Sequence, residues 1–226
     1  MKIDFHTHTN SSYDAISSPR EIVESAISRG LDAVCITDHH EIKGSLKALS
    51  FSYTKKIFVI PGIETRSREG DILGIGIKEK IPDGRGAKET VIAINKLGGL
   101  AVIAHPFVWF RGFEGNILKL FHELTSLNLA IEAWNASVPD FFNKKAFFFA
   151  NKFNLPFTAG SDAHGAEFVG NAFLEIEGEE LSVREIFSAI KNKKAKIRRR
   201  NVGISKKIKW EVRREIQKLK RGKIKV

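Results

Sequence analysis

The sequence predicts an α/β domain built on a mostly parallel sheet, either a barrel or a doubly wound sheet, followed by a basic helical extension. Three observations carry that reading. Strand and helix signals alternate over residues 1–190. The strands are apolar almost throughout, as expected of parallel strands covered on both faces. Nearly every strong polar side chain falls at, or just past, the C-terminal end of a strand, where parallel α/β folds build their sites.

The elements follow in order. Met1 to Phe5 alternates apolar Ile3 and Phe5 with Lys2 and Asp4, a short strand. "SSPREIVESAISRG" supplies its own helix punctuation: Ser18 as N-cap, Pro19 at the first position, Glu21 completing a capping box and Gly30 as the stop. "LDAVCIT" is a strand, and a short helix is expected near Leu46. "KIFVIPGIET", rich in β-branched residues, and "GDILGIGI" are two more strands. Helix "AKETVIAINKLGG" precedes the buried strand "LAVIAHP", helix "NILKLFHELTSL" precedes "LAIEAWN", and "DFFNKKAFFFANKF" precedes "LPFTAGSDAH". No internal repeat or low-complexity linker interrupts the series.

Charge divides the chain. Residues 191–226 hold 17 Lys+Arg against 2 Asp+Glu, so of the totals of 37 and 26 the body keeps 20 against 24. The net charge of +11 therefore belongs to the extension, and the body is slightly acidic. Within the extension Ile208, Val212, Ile216 and Leu219 form one apolar stripe of a basic amphipathic helix, expected to pack on the body. Nucleic acid or an anionic membrane surface are its functional alternatives. A barrel domain over 1–190 and a basic helical extension over 191–226 are expected. No apolar run reaches the roughly 18 residues of a membrane span. The charged start has no signal-peptide core, and Cys35 is the only cysteine, so a cytoplasmic setting is expected.

The polar residues at the strand ends are of one chemical kind. His6 and His8 follow the first strand and share a face, because strand residues two apart point the same way. Asp38, His39 and His40 follow the second, Glu64 ends the third, His105 ends "AVIAH", and Asp162 and His164 follow "FTAGS". Singly, each has an ordinary explanation: a solvated loop, a buried histidine, a helix cap. Together, five strand ends carrying His, Asp or Glu point to one shared site. Imidazoles and carboxylates without a thiolate cluster suit Mn²⁺, Zn²⁺ or Fe²⁺. The candidate ligands exceed the needs of one tetrahedral ion, which implies two or three, acting on water and on the oxygens of a phosphate ester.

The motifs "HTHTNSSYDA", "ITDHHEI", "GIET", "AHP" and "GSDAH", in this order over residues 1 to about 175, resemble the PHP (polymerase and histidinol phosphatase) family. The resemblance implies a distorted (β/α)7 barrel with a metal cluster at the strand C-termini and phosphoesterase chemistry by attack of metal-bound hydroxide on phosphorus. It places His6, His8, Glu64 and Asp162 on one ion, and Glu64 bridging to a second held by His105. Asp14, His39 and His164 take a third. His39 is preferred to His40 because it directly follows the aspartate of the "TDH" motif. The chain departs from the histidinol phosphatases where it reads "IEAWN": Asn135, Glu132 or water stands in place of a further His. In that respect it is more similar to small PHP proteins acting on nucleotides or short oligonucleotides.

Three further side chains are catalytic candidates. Arg66 and Arg111 could orient a phosphate, and His40 could protonate a leaving group. Trp109 and Phe110 could stack on a base. The leading expectation is a metal-dependent phosphoesterase acting on a small phosphate ester or nucleotide. The alternatives are an exonuclease on short RNA or DNA that uses the basic extension, and a non-catalytic nucleic-acid-binding or scaffold module.

Overall fold

The computed structural model of the protein describes residues 1–52, 57–109, 112–178, 181–200 and 212. Strands β1 (Lys2–Asp4), β2 (Ala33–Ile36) and β3 (Phe58–Arg66) pair in parallel. Strand β4 (Asp71–Ile75) runs antiparallel to β3 and to β5 (Leu100–Ile103). Strands β6 (Leu129–Asn135) and β7 (Phe157–Gly160) continue from β5 in parallel. Beyond β1 lie β8 (Ala172–Ile176) and β9 (Ala195–Arg199), both in antiparallel pairing, which gives the sheet order β7-β6-β5-β4-β3-β2-β1-β8-β9.

The sheet closes on itself because β1 divides its free edge. Its first half, Lys2 and Ile3, pairs with β8. The chain just beyond it pairs with the end of β7: Phe5 N–H donates to the Ala159 carbonyl (3.3 Å), Asp162 N–H to that of His6 (2.7 Å) and His8 N–H to that of Ala163 (2.8 Å). Seven strands thus ring an interior, the distorted barrel that the motifs imply. Gly160 makes the closure possible. A Cβ there would lie 2.4 Å from the His6 Cβ and 2.7 Å from its backbone nitrogen.

Inward side chains of the ring, among them Phe5, Cys35, Leu73, Val102 and Ala130, form one buried cluster. Helix α6 (Val183–Lys191) joins that cluster through Ile186, Phe187 and Ile190. Outward residues pack on the remaining helices. Val34, Ile36 and Val59 share a cluster with Ile22 and Val23 of α1 (Pro19–Ser28) and Ala48 of α2 (Lys43–Ser52). Ile72, Ile103 and Ile131 meet Val91 and Ile94 of α3 (Ala87–Lys96) and Leu120 of α4 (Ile117–Glu123). Helix α1 begins with the expected capping box of Ser18 and Glu21. Helix α5 (Asp140–Lys152) lies between β6 and β7.

Two expectations change. The strand "GDILGIGI" is not parallel. Residues 67–70 are too few for the crossover of a dozen or more residues that a parallel neighbour needs, so β3 and β4 form a hairpin. The sheet also continues past residue 190, since Ala195–Arg199 is strand β9 rather than part of a helix. Of the expected tail stripe only Val212 is described, and it is 57 % exposed. Ile208, Ile216 and Leu219 lie outside the described residues. Among the described residues no helix is long and apolar enough to cross a membrane.

Gly160→Ala is expected to destabilise the protein by about 1–3 kcal/mol or more, because neither the His6 Cβ nor its backbone can yield without opening the ring. Urea unfolding monitored by circular dichroism checks this. An unchanged midpoint would mean that the closure is looser than described.

Candidate metal centre

Six of the seven ring strands point the same way, so their C-terminal ends converge on one mouth. Glu64, near the end of β3, occupies the centre of the gathered side chains. Its Oε2 lies 3.2 Å from His6 Nε2, 3.4 Å from His8 Nε2 and 3.1 Å from His39 Nδ1. Its Oε1 lies 3.2 Å from His105 Nε2. Asp162, after β7, sits 3.1 Å from His8 Nε2 and 3.5 Å from His6 Nε2. Asp14 closes the opposite side, 3.1 Å from His164 Nε2 and 3.7 Å from His39 Nε2. The His8 ring stacks between those of His39 (4.4 Å) and His164 (4.2 Å). All eight sequence-predicted ligands are therefore in one cluster.

Burial without cations leaves these groups in conflict. Burial opposes protonation of His6, but Asp162, Glu132 and Glu64 outweigh it and raise its pKa well above the usual imidazole value. His8 is driven the other way, to about 3, by burial and by the charges of His164 and His39. Burial disfavours ionised Glu64 and Asp162, yet surrounding imidazoles, His39 and His6 for Glu64 and His6 first for Asp162, hold both well below the ordinary carboxylate range. The protein offers a neutral His8, two ionised carboxylates and further imidazoles within 3.5 Å of them, a donor set suited to divalent ions. Among the described residues, three groups have ligand atoms within 4.8 Å of one another: His6–His8–Glu64, His8–His39–His164 and Glu64–Asp71–His105. Asp14 Oδ1 and His39 Nε2 are buried with no hydrogen-bond partner among the described residues, as atoms awaiting a cation would be.

The neighbouring carboxylates have distinct roles. Glu132 does not face an open position. Its Oε1 accepts from His6 Nδ1 (2.9 Å), while its Oε2 accepts from the His105 backbone N–H (2.8 Å) and from Asn135 Nδ2 (3.1 Å). It thereby fixes the His6 proton on Nδ1 and aims Nε2 at Glu64 and Asp162. Asn135 donates to Glu132 and to Asp162 (3.2 Å), linking the two carboxylates. Asp38 is likewise structural: it accepts from Thr9 N–H (2.6 Å), Thr9 Oγ1 (2.7 Å) and Ser12 Oγ (3.0 Å), tying down the loop that carries Asp14. Burial raises its pKa to about 6. Asp4 staples the β1 end to Ser161 and Gly170 in the same manner.

One residue was not legible as a site residue. Asp71 begins β4, and because β4 runs backwards its first residue lies at the ligand-bearing mouth. Its Oδ2 is 3.9 Å from His105 Nε2, and its Oδ1 accepts from Arg66 Nη1 at 3.0 Å. The four-residue turn before it was the available signal, because so short a link requires an antiparallel strand. Arg66 is thus held at the rim by Asp71. His40 stands outside the cluster, its Nδ1 2.9 Å from Asp83 Oδ2, with both side chains substantially exposed. Arg111 and Phe110 lie outside the described residues.

Fold and site together define a distorted α/β barrel whose mouth gathers a donor set suited to divalent ions. The sequence model of the PHP domain matches residues 4–128, and that of the PHP-associated segment matches 141–195; the chain belongs to the PHP family. It is 34 % identical over 117 residues to the uncharacterized protein MJ1587 of Methanocaldococcus jannaschii, an alignment covering 47 % of this chain and 68 % of that one. Among solved structures it superposes, at a TM-score of 0.74 and 19 % identity, on a two-domain protein of Bacteroides vulgatus containing a predicted PHP-like metal-dependent phosphoesterase. That match covers 88 % of this chain but only 64 % of the other. The lesion-specific endonuclease PfuEndoQ of Pyrococcus furiosus matches at a TM-score of 0.62 and 18 % identity, over 87 % of this chain and 57 % of the endonuclease.

Glu132→Gln is expected to weaken Mn²⁺ binding by about 10–100-fold, because the amide holds His6 Nδ1–H less firmly. Titration calorimetry measures it, and an unchanged affinity would remove Glu132 from the site. Because His6 holds an extra proton in the metal-free protein, binding must release it. Affinity should therefore rise with pH until His6 is deprotonated in the metal-free state. Calorimetry in buffers of different ionisation enthalpy should report proton release at pH 7, and none would contradict the assigned His6 charge.

Proposed function

We propose that the protein hydrolyses phosphate esters with two or three divalent ions held at the barrel mouth, and that its substrate is a small phosphate ester or nucleotide. The observation that carries this reading is Glu64, one buried carboxylate in contact with four imidazoles. In the proposed assignment His6, His8, Glu64 and Asp162 hold one ion. Glu64 and His105 hold a second, with Asp71 as a further carboxylate beside them. Asp14, His39 and His164 hold a third. Bound ions of this kind lower the pKa of water and neutralise charge developing on the phosphoryl oxygens.

The chain's own residues do the rest. Glu132, Asp38 and Asp4 fix the donors before any substrate arrives, which reduces the reorganisation required at reaction. Arg66, oriented by Asp71, presents its guanidinium at the rim to a phosphate oxygen. His40, partnered by Asp83 and half-exposed, is placed to give a proton to a leaving group outside the ligand cluster. Arg111 is a further candidate for the phosphate on sequence grounds alone.

A second reading, a nuclease that removes nucleotides from the end of a strand, gains support from the likeness to PfuEndoQ and from the basic residues of 191–226. One panel separates the two: a phosphate monoester, a nucleoside monophosphate, a diester and a short 5′-phosphorylated RNA, each with Mn²⁺. Hydrolysis is expected to disappear on chelation and to fall to background in Glu64→Gln, with Arg66→Ala raising KM. Activity that survived both chelation and Glu64→Gln would refute the assignment.

A further inference from the structure

The outward face of α5 is unusual for a solvated helix. Phe141 (54 % exposed) and Phe148 (68 %) stand seven residues apart, on one stripe. Lys144, Lys145 and Lys152 fall on the same stripe at helical spacing. The opposite face, with Phe142, Ala146 and Ala150, is buried, so the aromatic stripe is not a misplaced core face. Trp109, 85 % exposed, stands at the head of the stripe, 6.1 Å from the Phe141 ring and 5.6 Å from that of Phe142. Beneath it Val108, Val138 and Phe142 form a small separate cluster.

This head adjoins the metal centre through both chain connections that reach it. Val108 N–H donates to the His105 carbonyl (3.2 Å), and Val138 N–H donates to that of Asn135 (3.4 Å). Asn143, inside α5, clamps the Asn135 backbone at both N–H and C=O (2.8 Å each). From Phe141 to Lys152 the stripe runs about 16 Å away from that junction. Its charge is uniform: Asp140, the one acid of α5, is paired with Arg199 at 3.5 Å, and Lys145 rests over the Phe107 ring at 4.7 Å.

We infer that Trp109 and the Phe141–Lys152 stripe of α5 form a track for the end of a single-stranded nucleic acid. Every base offers a π-face to Trp109, Phe141 and Phe148, and the interleaved lysines meet the phosphates. A second copy of the chain fits less well, because a two-fold contact would set these lysines against one another. An acidic protein surface would satisfy the lysines and leave the exposed rings without planar partners. The inference rests on the proposed phosphoesterase reading only for what becomes of the strand's end, since binding is read separately from hydrolysis.

The test is fluorescence anisotropy of the full chain with labelled 12-nucleotide single-stranded DNA and RNA over a range of salt concentrations. Trp109→Ala and Phe148→Ala, both at exposed positions, should each weaken binding about tenfold with the salt slope unchanged. Lys144→Ala combined with Lys145→Ala should flatten the slope. Hydrolysis of glycerol 3-phosphate should be unaffected in Phe148→Ala. Absence of hydrolysis by the wild type of every member of the panel above would count against the phosphoesterase reading and leave the track standing. No binding by the wild type, or equal binding by the Trp109→Ala/Phe148→Ala double variant, would overturn the track and leave any affinity to the basic 191–226 segment. So would a wild-type dimer that the double variant dissociates without changing oligonucleotide affinity.

Discussion

Much of this structure is arranged around a single carboxylate. Glu64 is buried among His6, His8, His39 and His105 at 3.1–3.4 Å, and such a group is costly to keep ionised unless cations surround it. The protein meets that demand by supplying four imidazoles from three separate strand ends. It then fixes them with a surrounding layer of hydrogen-bonded carboxylates. Glu132 orients His6 and pins the His105 backbone, Asp38 ties the loop bearing Asp14, and Asp4 secures the segment leading to Asp162. Removing water from these groups makes each contact stronger, and it makes any error in their placement expensive.

The barrel is what allows donors so distant in sequence to meet. Closure between the extensions of β1 and β7 brings His6 and His8 against Asp162, more than 150 residues away in the chain. The reversal of β4 is more than a local irregularity. It places the beginning of a strand, and with it Asp71, at the mouth where the other strands end.

How far this could be read from the sequence depends on the kind of information involved. The strand-end placement of His6, His8, His39, Glu64, His105, Asp162 and His164 was legible because parallel α/β architecture concentrates chemistry at one sheet edge. Asp14 was legible only through the family motif, since it lies in an irregular loop whose path is set by Asp38. Asp71 was hidden by the assumption that every strand runs the same way. Glu132 was visible as a polar residue in a buried strand, but its two oxygens could serve either a metal or neighbouring donors, and hydrogen-bond partners are a tertiary property. Strand β9 was obscured by its charge: "AKIRR" reads as part of a basic tail, and its pairing with β8 is a long-range choice. The aromatic stripe of α5 was present as "DFFNKKAFFFANK", but only burial tells which of its rings face outward.

The central claim is that Glu64 bridges a cluster of divalent ions. Anomalous diffraction from crystals grown with Mn²⁺ tests it most directly. The account predicts at least two manganese peaks at the barrel mouth, one within coordination distance of His6, His8 and Asp162 and another near His105 and Asp71, with Glu64 contacting both. No peak there, or a single ion bound away from Glu64, would contradict it.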